Sequence, residues 1–283
     1  MELCQSLSTL NPDIILTFLG TSTSTGVPVI GCRCPVCTSD DPKLTRTRSS
    51  IHLQTPEQSI LVDTGPDLRE QALRESLTRV DSVLYTHAHL DHITGFDELR
   101  AFCWHRDEPL PLYGSKACLD EIQRMFQWAF LPSNTYKGYV KPDPRITSGP
   151  FQLNKLTVTP VPVVHGSVET QGYRFDYPGC PSAAYLPDVK HIPDSSWHLL
   201  ENIPLLIVDG LHHREHATHM NFTEALDTAE ELGAGQIYLT HLSHELKINQ
   251  TEKDLPANAH FAYDGLRIHF NSQDTSATAQ HLS

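Results

Sequence analysis

The chain has 283 residues, of which 39% are apolar and 19% charged, a composition typical of a folded globular protein rather than a disordered one. Its 21 basic and 34 acidic residues give a formal net charge of −13, which opposes broad electrostatic binding of nucleic acid. No stretch approaches the roughly 18 consecutive apolar residues of a membrane span, and the first residues do not resemble a secretory signal. We therefore expect a cytoplasmic protein with no membrane partner.

The cysteines and histidines are distributed unevenly. Three of the seven cysteines cluster at Cys32, Cys34 and Cys37, and the rest are scattered. This spacing argues against a disulfide framework and favours a reducing compartment. The chain also contains 17 histidines. Because neutral imidazole is the commonest metal ligand in proteins, these histidines are the first residues to examine for function.

Short β-type runs recur along the chain, each bounded by turn-forming residues. They are Ile14–Phe18, Ile51–Gln54, Ile60–Asp63, Val83–Thr86, Leu156–Thr159, Tyr173–Phe175, Leu205–Asp209, Ile237–Thr240 and Leu266–Phe270. Helical patterns lie between some of them, at Asp67–Leu77, Phe96–Trp104, Cys118–Phe130 and Asn221–Leu232. This order predicts a mixed α/β fold.

The domain organisation is predicted to be simple. We expect one hydrolase domain over residues 1–283, with a flexible tail at 271–283 where the residues are small and polar. Residues 131–150 contain four prolines and few apolar side chains, so they are predicted to form a loop or flap.

The strongest local signal is the segment 86–92, in which His87, His89, Asp91 and His92 follow an apolar run. Side chains alternate along a strand, so a strand ending there would place His87 and His89 on the same side. Asp91 and His92 would follow on the turn into the next helix. Four ligand-type residues this close can hold two cations side by side. The alternative is a polar loop in a histidine-rich chain.

Three further ligand-type residues, His165, Asp188 and His241, each follow a β-type run. Each alone would be interpreted as an ordinary polar residue at a strand end. Together they suggest a site, because strand ends can aim several side chains at one point. Asp188 would supply the bridging carboxylate that a dinuclear centre needs.

At this point the chain resembles the metallo-β-lactamase superfamily of hydrolases. The resemblance rests on the His-x-His-x-Asp-His motif at 87–92 and on the three later residues in their order. It implies an αββα sandwich of two mixed sheets flanked by helices, with the metals at one rim. It also implies that one divalent metal is held by His87, His89 and His165, the second by Asp91, His92 and His241, and that Asp188 bridges the two.

A second cluster, Cys32, Cys34 and Cys37, offers three thiolates, which select soft or borderline cations. A closed Cys₃His set is a typical structural zinc site, and His244 is the best candidate for the fourth ligand. Such a zinc would fasten the N-terminal loop to the strand end that carries His241. The alternative is three free cysteines, which their sensitivity to oxidation disfavours.

The Cys-x-Cys-x-x-Cys and His-x-x-His motifs together resemble one branch of the superfamily, which contains the cyclic-phosphate phosphodiesterase of the carbon–phosphorus lyase pathway. Further similarity lies at 17–21, 26–28, 239–244 and 263–266. The resemblance implies a phosphodiesterase that hydrolyses a small phosphodiester, cyclic or open, with a hydroxide shared by two metals. Zinc, manganese and iron all remain open for this centre, because His and Asp accept each of them.

Asp91 and His219 are assigned as catalytic residues. His219 precedes a predicted helix, and the resembling phosphodiesterase has a histidine at the matching place, where it could bind the phosphate or protonate the leaving alkoxide. His212, His213 and His216 crowd the same loop and cannot be ranked. Asp209 ends a β-type run and could orient a ligating histidine. The segment 20–26 lacks the Gly-Lys-Ser/Thr ending of a P-loop, so it is not assigned to phosphate binding.

Two other functions stay open. An endonuclease that processes transfer-RNA 3′ ends has the same metal motif, but it would need a basic arm that this acidic sequence lacks. A non-catalytic metal-binding protein, such as protein B of the pyrroloquinoline quinone pathway, has the same cysteine loop, but the full dinuclear set favours a hydrolase. The sequence does not fix the physiological substrate or the oligomeric state, so a homodimer stays open.

Overall fold

The structure is a computed structural model that describes residues 14–104, 106–246, 252–270 and 278–280. The strands of the N-terminal half are β1 (Ile14–Gly20), β2 (Ser50–Gln54), β3 (Ser59–Val62), β4 (Ser82–Leu84), β5 (Leu110–Gly114), β6 (Pro142–Ile146) and β7 (Phe151–Leu153). The remaining strands are β8 (Leu156–His165), β9 (Val168–Asp176), β10 (Ala183–Leu186), β11 (Leu205–Asp209), β12 (Gln236–Thr240), β13 (Ala259–Phe261), β14 (Arg267–Phe270) and β15 (Thr278–Gln280).

The α-helices are short and lie between the strands. They are α1 (Leu68–Arg74), α2 (Leu90–Ile93), α3 (Arg100–Cys103), α4 (Lys116–Met125), α5 (Gln127–Phe130), α6 (Asp194–Trp197) and α7 (Phe222–Glu231). Short 3₁₀ helices lie at Pro42–Leu44, Phe96–Leu99 and Glu252–Asp254. In the part of the chain that the structure describes, no helix is long and apolar enough to cross a bilayer.

The two longest helices begin where the sequence provides a capping residue. The Ser115 side chain accepts a hydrogen bond from the backbone N–H of Cys118 at the start of α4. At α7, Asn221 and Glu224 form a reciprocal capping box. Both caps satisfy backbone N–H groups that have no partner within the helix.

The described strands form two mixed sheets. The first sheet has eight strands in the order β15-β14-β1-β2-β3-β4-β5-β6, and the second has seven in the order β13-β12-β11-β10-β9-β8-β7. Each sheet combines an antiparallel part with a parallel part: β3 to β6 are parallel in the first sheet and β10 to β13 in the second.

Apolar side chains form three buried layers. One layer contains residues of both sheets, such as Phe18 and Tyr185, and fills the space between them. A second packs α7 against the outer face of the second sheet, with Ala225 and Leu239 as members. The third packs α1, α3 and α4 against the outer face of the first sheet. The fold is therefore the αββα sandwich that the resemblance implied, and the fold prediction is confirmed.

The structure corrects one sequence prediction. Part of the proline-rich segment 131–150 forms the edge strand β6, because an edge strand tolerates proline where an inner strand would lose a ladder hydrogen bond. Within the predicted tail 271–283, Thr278–Gln280 pairs with β14, and the flexibility of the tail stays a prediction. Residues 271–277 and 281–283 lie outside the described residues.

Candidate metal centre

The candidate site lies at one edge of the sandwich, where several strands end. His165 is the last residue of β8, and His241 directly follows β12. The structure brings together all seven side chains that the sequence predicts as ligands of a dinuclear centre: His87, His89, Asp91, His92, His165, Asp188 and His241. Their assignment as ligands stays a prediction, and the geometry below describes what they could hold.

The first group consists of three ring nitrogens. His87 Nε2 lies 2.9 Å from His89 Nδ1, which lies 3.2 Å from His165 Nε2. Donors about 2.0–2.1 Å from one zinc ion would lie roughly 2.9–3.4 Å from one another. The strand β4 ends at Leu84, so His87 and His89 meet through a turn and not through the strand alternation that the sequence suggested.

The second group surrounds Asp188, which is almost fully buried. His92 Nε2 lies 3.1 Å from Asp188 Oδ2 and 3.3 Å from Asp91 Oδ2. His241 Nε2 lies 3.2 Å from Asp188 Oδ1. The same oxygen, Asp188 Oδ1, lies 3.9 Å from His165 Nε2 of the first group. Asp188 therefore lies next to donors of both groups, as a bridging carboxylate would.

The buried donor atoms of the site are better satisfied by divalent cations than by hydrogen bonds to one another. His92 Nε2, His241 Nε2 and Asp188 Oδ2 are buried, and although the two nitrogens lie within ion-pair distance of Asp188, none of the three atoms has the geometry of a hydrogen bond with any described residue. Buried polar atoms without partners are costly and need an explanation, such as an ion. The mixture of imidazoles and carboxylates suits zinc, manganese or iron.

The electrostatics of the site also favour cations. Burial opposes the ionisation of Asp188, but the nearby His241 and His92 hold its pKa well below the usual range. Burial lowers the pKa of His87 well below its ordinary value. Burial would lower the pKa of His92 as well, but Asp188, Asp91 and Asp63 raise it well above its ordinary value. The carboxylates therefore favour positive charge at the position of His92.

A buried carboxylate that sequence reasoning did not single out, Asp63, orients His92. Asp63 Oδ2 lies 2.8 Å from His92 Nδ1, and the carboxylate also accepts hydrogen bonds from the backbone N–H and the hydroxyl of Thr86. These contacts leave Nε2 of His92 to face the site. Asp63 follows β3 directly, so it carries the same signal, an acid ending a β-type run, that identified Asp188 and Asp209.

Two other histidines are oriented in the same way. Thr86 Oγ1 lies 3.0 Å from His87 Nδ1, and His165 Nδ1 lies 2.8 Å from the carbonyl oxygen of Thr218. In both histidines the outer ring nitrogen has a partner. The inner Nε2 atom is therefore the one directed at the site.

Local backbone strain marks the site on both sheets. Asp63 has a φ of 63° and His241 a φ of 57°, in the left-handed region that residues other than glycine rarely adopt. Such strain concentrates at functional sites. The backbone is also closely packed beside Asp63. A Cβ atom at Gly65 would overlap the carbonyl oxygen of Asp91, and a Cβ atom at Gly95 would overlap the carbonyl oxygen of Gly65.

His219, the predicted proton donor, lies beside the candidate ligands. Its ring stacks on that of His241 at 4.7 Å between centroids, and its Nδ1 lies 2.6 Å from Asp209 Oδ2. Burial, followed by the charge of His241, lowers the pKa of His219 to about 4. Asp209 thus orients His219 and lies 3.9 Å from His241 Nδ1, which places it behind both rings.

The other histidines of this loop lie farther out. The His216 ring lies 5.1 Å from that of His219, and the His212 ring lies 5.9 Å from that of His216. The His213 ring packs instead against Phe222 at 4.7 Å. Only His216 therefore contacts a residue of the candidate site among these three.

A pocket of about 270 Å³ opens onto the centre. Its wall contains five of the candidate ligands together with His219 and Thr218. The rest of the wall comes from the turn after β8 and from Ser24 in the loop after β1. This volume is slightly below the usual range for small-molecule sites. The pocket gives a small ligand direct access to Asp188 and the surrounding histidines.

The predicted thiolate site also assembles. His244 Nδ1 lies 3.3, 3.5 and 3.5 Å from the sulfur atoms of Cys32, Cys34 and Cys37. Sulfur and nitrogen bound tetrahedrally to zinc at about 2.3 and 2.0 Å would lie about 3.5 Å apart. Burial raises the pKa of Cys34, but hydrogen bonds from the Cys37 backbone and from His244 lower it to about 6. Three sulfur atoms this close need a cation before all can be thiolates.

Comparison with known proteins places this geometry in a family. The family model of the beta-lactamase superfamily domain matches residues 58–242. The chain is also 39% identical over 258 residues to an octanoyltransferase from Porphyromonas gingivalis, an alignment that covers 88% of this chain and 50% of that protein. The chain therefore spans half the length of this curated relative.

Solved structures agree with this placement. A crystal structure described as a new diphosphatase from the PhnP family superposes with a TM-score of 0.82 at 38% identity, covering 90% of this chain and 96% of the other. Zinc-bound PqqB from Methylobacterium extorquens has the same fold, with a TM-score of 0.74 at 20% identity over 89% of this chain and 99% of its own. The chain therefore belongs to the metallo-β-lactamase superfamily, is a hydrolase of that fold, and resembles the PhnP branch, as the sequence motifs predicted.

Proposed function

We propose that the protein is a metal-dependent phosphodiesterase that hydrolyses a small phosphodiester. The proposal depends on one observation: the two groups of donors meet at the buried Asp188, beside a pocket that five of the seven candidate ligands line. One divalent metal would be held by His87, His89 and His165, a second by Asp91, His92 and His241, and both would share Asp188. When bound, such a pair activates water near neutral pH and stabilises charge on phosphoryl oxygens.

The chain's own residues would fix this geometry. Asp63, Thr86 and the Thr218 carbonyl orient the histidine rings before any ligand enters. Preorganised groups of this kind stabilise charge that develops in the transition state without having to reorganise. Asp91 lines the pocket and would hold the second metal next to the substrate.

His219 would act on the substrate from the wall of the pocket. Asp209 accepts a hydrogen bond from Nδ1, so Nε2 is the ring atom available to the substrate. In its protonated form, which the negative charge of a bound phosphoryl group would favour, the ring would donate a hydrogen bond from Nε2 to a phosphoryl oxygen or pass that proton to the leaving oxygen. A carboxylate behind the imidazole stabilises the charged ring in either role.

A diphosphate is a second candidate substrate class, because the similar PhnP-family structure is described as a diphosphatase. In a diphosphate with a substituent at each end, each phosphorus carries one ester oxygen and one bridging oxygen. Hydrolysis of the bridge therefore requires the same attack on a doubly substituted phosphorus as in a phosphodiester, but the leaving group is a phosphate monoester, which needs less help from a proton donor than an alkoxide does. Acyl transfer is not carried over from the Porphyromonas relative, because this chain aligns with only half of it.

The two alternatives have less support. Transfer-RNA processing would bring a polyanion to a chain with a net charge of −13. A purely metal-binding role would leave the pocket beside the candidate ligands without a purpose. A single domain, a cytoplasmic location, a dimeric state and the absence of a nucleic-acid partner stay predictions of the sequence.

The test is a hydrolysis assay on the purified full chain. With manganese or zinc present, bis(4-nitrophenyl) phosphate should release 4-nitrophenol, and elemental analysis should find three metals per chain. Chelation should abolish turnover, and the same metal ion should restore it. A protein that carries both metals of the centre but cleaves neither this diester nor a dinucleoside diphosphate would overturn the proposal.

A further inference from the structure

The pocket wall contains two serines that no step of the proposed hydrolysis uses. Ser24 lies in the loop after β1 and Ser167 lies in the turn between β8 and β9, and both are exposed. Among the described residues neither side chain makes a hydrogen bond, although both face the cavity that contains Asp188. Two uncommitted hydroxyls on opposite loops are available to a ligand.

The backbone holds Ser24 at the tip of a tight turn. The N–H of Gly26 donates to the carbonyl oxygen of Thr23 at 3.0 Å, so Ser24 and Thr25 are the two central residues of a β-turn. Ser24 also has no backbone partner among the described residues. The turn therefore offers a hydroxyl and an N–H at the same position, both hydrogen-bond donors without charge.

The turn is fastened to the strand end that carries the candidate ligand His241. Leu242 donates its N–H to the carbonyl oxygen of Thr21 at 2.8 Å, and its own carbonyl accepts from Thr23 N and Ser22 Oγ at 3.4 and 3.3 Å. The carboxylate of Asp264 accepts a hydrogen bond from the hydroxyl of Thr21 at 2.8 Å. These bonds hold the turn in register with the metal centre, so the position of Ser24 relative to Asp188 is fixed.

The chemistry of the wall indicates what these donors bind. The carboxylates that line the pocket, Asp91 and Asp188, belong to the candidate centre, and no other acidic side chain lines it among the described residues. Neutral donors placed away from the cations can bind phosphoryl oxygens without adding repulsion. A phosphoryl group at the centre would leave a second, attached phosphoryl group near these serines.

We propose that Ser24 and Ser167 form a rim that binds the second phosphoryl group of a diphosphate-containing substrate. This inference rests on the proposed function, because it assumes that the first phosphoryl group occupies the metal centre. It narrows the substrate class from small phosphodiesters in general to organic diphosphates. It also gives the loop at 20–26 a role in phosphate binding that does not depend on a P-loop motif.

The test compares the binding of inorganic pyrophosphate and inorganic phosphate by calorimetry, using full-length protein loaded with manganese or zinc. Metal content is measured before and after each titration. Ser24→Ala and Ser167→Ala should each weaken pyrophosphate binding about 10- to 100-fold, the range expected when a hydrogen bond to a charged group is lost. Phosphate binding should change less than about twofold, because phosphate reaches only the centre.

Thr25→Ala is the matched control, since Thr25 lies in the same turn but does not line the pocket. It should bind pyrophosphate like the wild type. Equal losses for phosphate and pyrophosphate, an effect of Thr25→Ala as large as that of Ser24→Ala, or unchanged binding in both serine variants would overturn the inference. These results are separate from the fate of the proposed function, because they report binding and not turnover. If the wild type hydrolyses diesters and both serine variants bind pyrophosphate normally, the proposed function is retained and the proposed role of the two serines is rejected.

Discussion

The two clusters of metal-binding residue types differ in donors, burial and access. The His/Asp centre is largely buried, combines nitrogen and oxygen donors, and opens onto a pocket of about 270 Å³. The Cys₃His cluster combines three sulfur atoms with one nitrogen at 3.3–3.5 Å and consists of partly exposed residues. Open sites with a free position are typical of catalysis, and closed four-ligand sites are typical of structure.

This difference predicts a division of labour within one short segment. His241 belongs to the first cluster and His244 to the second, and Leu242 between them holds the turn that carries Ser24. A change in the centre should remove chemistry while the fold persists. A change in the cysteine cluster should act first on stability and only weakly on chemistry.

The largest effect is expected from Asp188→Asn, which keeps the shape of the side chain and removes its charge. Without the shared carboxylate, turnover of bis(4-nitrophenyl) phosphate should fall about 10³-fold or more. Metal analysis should find the centre depleted while the metal of the cysteine cluster is retained. Full activity in this variant would refute the assignment of the centre.

A smaller effect is expected from Asp63→Asn, because Asp63 acts through the orientation of His92. Metal affinity of the centre should fall about 10- to 100-fold, as is typical when an outer partner of a ligating histidine is lost. Competition with a chromogenic chelator measures this affinity. Asp176→Asn is a suitable control, since that carboxylate forms a partly exposed ion pair with Arg174 on β9. Equal affinity in Asp63→Asn and the control would contradict the role of Asp63.

Asp209→Asn tests the support behind His219. Losing the 2.6 Å contact to Nδ1 should lower kcat about tenfold and leave the metal content of the cysteine cluster unchanged. In His219→Ala the same change at Asp209 should add little, because the two residues act as one unit. Independent, additive losses in the double variant would show that Asp209 does not act through His219.

The weakest effect on activity is expected from Cys34→Ala. The variant should lose one metal per chain and unfold at a temperature about 5–10 °C lower, while activity per folded molecule falls less than tenfold. Thermal scanning together with elemental analysis measures both. Cys180→Ala removes a cysteine remote from the cluster and should keep all metals. Loss of the metals of the His/Asp centre in Cys34→Ala without loss of stability would contradict the structural role proposed for the cysteine cluster.

The sequence predicted the site largely because its residues follow strands. His165, Asp188 and His241 each end a β-type run, and parallel strands deliver such residues to one edge of a sandwich. Asp63 also ends a β-type run, but the sequence around a single acidic residue does not indicate that it contacts His92. His87 and His89 converge as predicted, although through a turn that local alternation does not describe.

Other features could not be predicted because they depend on tertiary contacts. Ser24 faces the pocket because Leu242, more than two hundred residues later, holds its turn. The strand β6 forms in a proline-rich segment because β5 lies beside it and supplies the pairing partner. Composition alone indicates a loop at that position, and only the neighbouring strand changes the outcome.

The prolines of β6 also affect whether folding chains of this protein can associate through the edge of the first sheet. Leu110 donates to the carbonyl oxygen of Lys141, so the alternate residues Pro142 and Pro144 direct their backbone groups away from the sheet. Neither carries an N–H, and a newly made chain therefore finds few donors with which to extend this border. The longer sheet ends in a segment that resists aggregation by edge-to-edge addition.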